Sequence, residues 1–75
     1  MKYLIVVEDS GLEVAVLFSE LLKHEQVAEG FEVVSAGFCD AAGHAYGGSV
    51  SLGIKAREAG LVDSEIIFRT MEFKI

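Results

Sequence analysis

Apolar and polar positions alternate over two early segments of the chain and then recur with helical spacing. Lys2 to Glu8, "KYLIVVE", is dense in Tyr, Leu, Ile and Val and stops at Asp9-Ser10-Gly11. That run suits a three-residue hairpin loop with glycine in the left-handed conformation. Leu12 to Phe18 then sets Val14, Val16 and Phe18 on one side and Glu13, Ala15 and Leu17 on the other, as an antiparallel second strand does. Ser19 can cap a following helix in which Leu17, Phe18, Leu21, Leu22 and Ala28 share one arc, and Gly30 is placed to end it. Glu25 falls inside the same arc, which favours a short helix that bends away after Lys23, because an unpaired buried carboxylate is costly.

Phe31 to Phe38, "FEVVSAGF", reads as a third strand. Tyr46 to Ile54 reads as a fourth, with Tyr46, Gly48, Val50, Leu52 and Ile54 on one face and Ser49 and Ser51 on the other. Asp63 or Ser64 can cap a last helix running through Ile66, Ile67, Phe68 and Met71. The order is ββαββα. It predicts one α+β domain over residues 1–75, a four-stranded antiparallel sheet with two helices packed on one face.

The stretch "SAGFCDAAGHAYGGSVSLG" holds the single cysteine, one of the two histidines and five of the eight glycines. In "CDAAGH", Asp40 can open a turn by bonding its own backbone, with Gly43 supplying a positive φ. Gly47 and Gly48 mark a bulge or a close approach by another backbone. No phosphate-loop or dinucleotide fingerprint is present. Cys39 and His44 flank the turn, so a thiolate-imidazole pair is the enzymatic alternative, with Cys39 as nucleophile and His44 as base. A nucleophile also needs an oxyanion site and an enclosing pocket, which one hairpin on a small core rarely supplies. The preferred reading is a buried structural thiol and a solvated histidine in a protein that is not an enzyme. His24, Cys39, Asp40 and His44 fit no metal-ligand spacing, and no metal or cofactor is expected.

A chain of 75 residues must spend most of its apolar positions on a core. One cysteine makes no internal disulfide, which points to a reducing compartment. The opening apolar run is too short for a signal-peptide core or a membrane span, so a soluble cytoplasmic protein is expected.

Charge changes the picture most. The net charge is −6, and all of the excess lies before residue 55. There Glu8, Asp9, Glu13, Glu20, Glu25, Glu29, Glu32 and Asp40 face only Lys2 and Lys23, whereas the rest of the chain is balanced. Such a field repels nucleic acid and attracts basic surfaces. Glu8, Asp9, Glu13, Glu20, Glu25, Glu29 and Glu32 are therefore the candidate partner-binding residues, able to occupy a groove that normally holds a phosphate backbone. Solubility alone would also account for an acidic surface.

"MKYLIVVEDSGLEVAVLFSELLKHEQVA", "VVSAGF" and "YGGSVSLGIKARE" resemble short proteins encoded by bacteria and their phages. In general character the chain is similar to the small acidic anti-CRISPR proteins. That resemblance implies a non-enzymatic inhibitor, a DNA mimic bound to a subunit of a CRISPR-Cas effector. A third class is a homodimeric structural module, in which Val14, Tyr46 or the apolar end "IIFRTMEFKI" completes a sheet or core across a two-fold axis.

Overall fold

The computed structural model describes residues 1–72, leaving Phe73, Lys74 and Ile75 of the apolar end outside the described residues. The strands are β1 (Lys2–Val7), β2 (Glu13–Phe18), β3 (Glu32–Cys39) and β4 (Ala45–Tyr46), in the antiparallel order β2-β1-β3-β4. β1 and β2 pair without a break from Lys2↔Phe18 to Val7↔Glu13. Their loop is the expected one: Gly11, at φ +86°, donates its N–H to the Glu8 carbonyl at 2.8 Å. β3 lies on the other side of β1 and carries a bulge opposite Ile5 and Val6, so that the consecutive Val34 and Ser35 both face the α2 side while Val33 faces the other core.

The two helices, α1 (His24–Ala28) and α2 (Leu61–Glu72), cover opposite faces of this sheet rather than one. On one face Ile66 and Ile67 of α2 pack on Tyr3, Ile5, Cys39 and Ala45. On the other, Val27 and Ala28 of α1 pack with Leu52 and Ile54 on Leu4, Val6 and Ala36. The reason lies in β1, whose Tyr3, Leu4, Ile5 and Val6 are all buried. A strand apolar on both sides needs two covers.

Three element boundaries differ from the sequence pattern. Ser19 does not cap α1; its Oγ accepts the Leu21 N–H at 3.1 Å and its carbonyl accepts the Leu22 N–H at 3.1 Å, which makes a turn. Leu21 and Leu22 are exposed, and the buried residue of the helix is His24. Gln26 supports the helix start, its Oε1 accepting the Lys23 N–H at 2.9 Å.

The expected fourth strand is short. β4 ends at Tyr46, and Gly47, at φ +73°, turns the chain away. β5 (Gly48–Ser49) then pairs with β6 (Ile54–Lys55) as a separate two-stranded ribbon. Tyr46 and Val50, placed inward by alternation, are exposed, whereas Leu52 and Ile54 do reach the core. Gly48 is a close backbone approach: a Cβ there would stand 2.9 Å from the Ile54 carbonyl oxygen.

α2 begins two residues before Asp63, after a 3-10 turn at Arg57–Gly60. Asp63 is therefore inside the first turn of the helix and does not cap it. Ser64 ties the turn together, its Oγ donating to the Gly60 carbonyl at 2.6 Å and accepting the Ala45 N–H at 2.8 Å.

Candidate functional site

Strand pairing decides which of the candidate carboxylates meet. Glu8 and Asp9 stand at the β1–β2 loop, and Glu32 begins β3 on the far side of β1, at the same end of the sheet. With Gly30 and Phe31 they rim a groove of about 790 Å³ that also takes in Val6, Val14 and Val16. Phe31 is 52% exposed at its edge. The groove thus joins an apolar wall of β-branched side chains to three carboxylates, a surface suited to a long side chain with an aliphatic stem and a cationic head.

The remaining candidates lie elsewhere. Glu25 is in α1, beside a second groove lined by Lys2, Lys23, His24 and Phe38. Glu29 is exposed at the C-terminal end of α1. Glu20 accepts from the N-terminal amine of Met1 at 3.0 Å.

Glu13 has a structural partner. Its two oxygens accept from Arg57 Nη1 and Nη2 at 3.2 and 2.8 Å, a bidentate pair that holds the carboxyl below its ordinary range. Arg57 in turn donates from Nε to Asp63 Oδ1 at 3.0 Å and from its backbone N–H to Oδ2 at 3.2 Å. Asp63 is fully buried and also accepts from the Tyr3 hydroxyl at 2.5 Å and Ser35 Oγ at 2.9 Å. Tyr3, Ser35, Asp63, Arg57 and Glu13 thus form one network that pins α2 and the 3-10 turn to β1, β2 and β3. It lies beneath the face covered by α2, so its role is anchoring.

Sequence reading missed this network because its members are spread from residue 3 to residue 63. The one available signal was Asp63 in the midst of an apolar helix start.

The Cys39–His44 pair does not assemble as a nucleophile and base. Cys39 is buried in the core with Tyr3 and Ile67, and burial pushes its thiol above the ordinary range. His44 turns its Nδ1 to Asp40 Oδ2 at 3.2 Å, and its ring stands edge-on to Phe68. Asp40 builds the expected turn, its Oδ1 accepting the N–H groups of Ala42 at 3.0 Å and His44 at 2.9 Å; the His44 N–H chiefly lowers its carboxyl. Gly43, at φ +94°, completes that turn. His24 is buried between Phe18 and Phe38, and its Nε2–H donates to the Gly37 carbonyl at 2.8 Å. Each of the four residues weighed as metal ligands thus has a structural partner or a place in the core.

These placements set the pH response. Glu13 and Asp40 are lowered in the folded protein, so their contribution is present above the ordinary carboxylate range and is lost as pH falls through their folded values. Cys39 and Tyr3 are raised above 9.0 and 10.0, Tyr3 by burial first and by its hydrogen bond to Asp63 second. Their contribution is present below those values and is lost as pH rises above them. Urea denaturation against pH is expected to show a plateau near neutrality with a fall on both sides. Cys39→Ala is expected to delay the alkaline fall, and an unchanged alkaline limb would contradict the assignment.

No helix among the described residues is long and apolar enough to cross a membrane. No protein-family model, curated protein or solved structure matches the chain.

Proposed function

We propose that this protein is a small non-enzymatic binding protein whose acidic sheet end engages a basic protein surface. The observation that carries the reading is the convergence of Glu8, Asp9 and Glu32 on one groove with an apolar wall. A surface made only for solubility has no need to gather carboxylates around half-buried apolar side chains and an exposed Phe31. Lys or Arg from a partner would lay its stem on Val14 and Val16 and present its charge to the rim. Where that partner uses the same cations to hold nucleic acid, the two ligands exclude each other. The protein then acts as an inhibitor by mimicking phosphate charge. A CRISPR-Cas effector subunit is the narrower form of this partner, and it rests on the sequence resemblance alone.

The test is capture of partners from bacterial lysate, including cells expressing CRISPR effectors. Wild type is compared with the triple variant Glu8→Gln, Asp9→Asn, Glu32→Gln. Glu13 is left intact because its pair with Arg57 is part of the fold. Three partly exposed ion pairs, each worth about 0.2–1 kcal/mol, predict roughly tenfold weaker capture at low salt and a smaller difference at moderate salt. Capture of a basic nucleic-acid-binding protein by wild type alone is the expected result. Equal capture by both would overturn the reading.

A further inference from the structure

β2 is an edge strand, and its outer side is open. In the sheet order β2-β1-β3-β4 no strand among the described residues pairs with it on the side away from β1. The Glu8 N–H bonds the Leu12 carbonyl, and counting along the antiparallel register from that pair turns the N–H and C=O groups of Glu13, Ala15 and Leu17 outward. The edge is six residues long and pairs with β1 without a bulge; "EVAVLF" contains no Lys and no Pro. Natural edges of this length are usually blunted by such features. Here the one charged residue, Glu13, is engaged by Arg57, and all six side chains are half-buried.

Both faces of this edge are also grooved. On the α1 side, Val14 and Val16 belong to the groove rimmed by Glu8, Asp9 and Glu32. On the α2 side, a smaller groove of about 280 Å³ runs between the strand and α2, lined by Leu12, Glu13, Val14, Ile66, Arg69 and Thr70. Its carboxylate is already paired with Arg57, and its cation, Arg69, disfavours a basic side chain there.

We propose that β2 receives an extended segment of the partner as a fifth strand, with alternate residues of that segment basic and apolar. Its backbone bonds the outward groups of Glu13, Ala15 and Leu17. Its Lys or Arg side chains fall on the α1 side, toward Glu8 and Asp9, and its apolar side chains fall on the α2 side, against Ile66 and Thr70. Main-chain pairing supplies affinity and the two grooves supply specificity, as in other strand-addition complexes. The inference rests on the acidic-surface reading above and specifies how that surface is used.

The probe is a capped nine-residue peptide of alternating valine and lysine. Its control is the same peptide N-methylated at the valines, which removes the donors that would face β2 and keeps the charge. Amide hydrogen exchange and amide chemical shifts are read on the isotopically labelled protein. The expected result is at least tenfold slower exchange at Glu13, Ala15 and Leu17 with the peptide and no slowing with its control. If both peptides bind equally, with shifts confined to residues around Glu8, Asp9 and Glu32, strand addition is overturned while the acidic-surface reading survives. If neither binds, both fall. Slow exchange at the three amides that grows with protein concentration alone would show a second copy of the chain on the edge, and would overturn the proposed occupant.

Discussion

Asp63→Ala is expected to remove a large share of the stability of this protein. The carboxylate is fully buried and accepts from the Tyr3 hydroxyl, Ser35 Oγ, and the backbone N–H and Nε of Arg57. Alanine leaves the buried Tyr3 and Ser35 hydroxyls without their acceptor, while the two Arg57 donors stand in a partly buried position that water can reach. Removing one partner of a buried charged pair costs about 3–5 kcal/mol, a large share of the roughly 5–15 kcal/mol typical of a whole domain. Arg57 keeps its bidentate pair with Glu13, which limits the loss on that side. Tyr3→Phe in an Asp63→Ala background should cost much less than in wild type, because its partner is already gone. Urea denaturation of the four proteins measures both effects. A loss below about 1 kcal/mol for Asp63→Ala would mean that the network does not anchor the helix.

Gly60→Ala carries the second large effect. Gly60 ends the 3-10 turn at φ +89°, a conformation that costs an L-residue about 1–2 kcal/mol. A Cβ there would also lie inside the Ala45 carbonyl group, and Ala45 is held by pairing with Cys39 and by Ser64 Oγ. Forced overpacking adds about 1–3 kcal/mol, so the expected total is roughly 2–5 kcal/mol. Gly53→Ala separates the two causes. Its φ is +68°, but open space surrounds the position, so it should cost only the backbone share of about 1–2 kcal/mol. Equal losses at the two glycines would show that the Ala45 contact contributes nothing. Thermal or urea midpoints of the two variants decide it.

The fold was legible where local pattern and tertiary demand agree. The β1–β2 hairpin follows from Asp9-Ser10-Gly11 between apolar runs, and the Asp40 turn follows from the side-chain chemistry of Asp and Gly. Strand β2 shows its two faces by alternation, Val14, Val16 and Phe18 on one core and Ala15 and Leu17 on the other. Where the pattern misled, tertiary contacts had overridden it. Leu21 and Leu22 lie on the expected helical stripe yet stay exposed, because His24 takes the buried position by bonding the Gly37 carbonyl. Tyr46 to Ile54 alternates like a strand, but Gly47 bends it and Gly53 turns it back on itself.

The candidate site was legible in part. Charge counting found the acid-rich region, and strand order then grouped Glu8, Asp9 and Glu32 while assigning Glu13 to Arg57 and Glu20 to the N-terminal amine. No spacing rule joins Glu13 to Arg57 across 44 residues. The same holds for the open edge of β2. Edge position is a property of strand order, which a single chain's pattern does not encode.

The most direct test of the account is the affinity of the captured partner for wild-type protein, measured with increasing duplex DNA and with increasing salt. DNA is expected to compete with the protein, affinity to fall as salt rises, and the salt dependence to be shallower in the Glu8→Gln, Asp9→Asn, Glu32→Gln variant. A partner whose binding ignores DNA, salt and all three substitutions would contradict it.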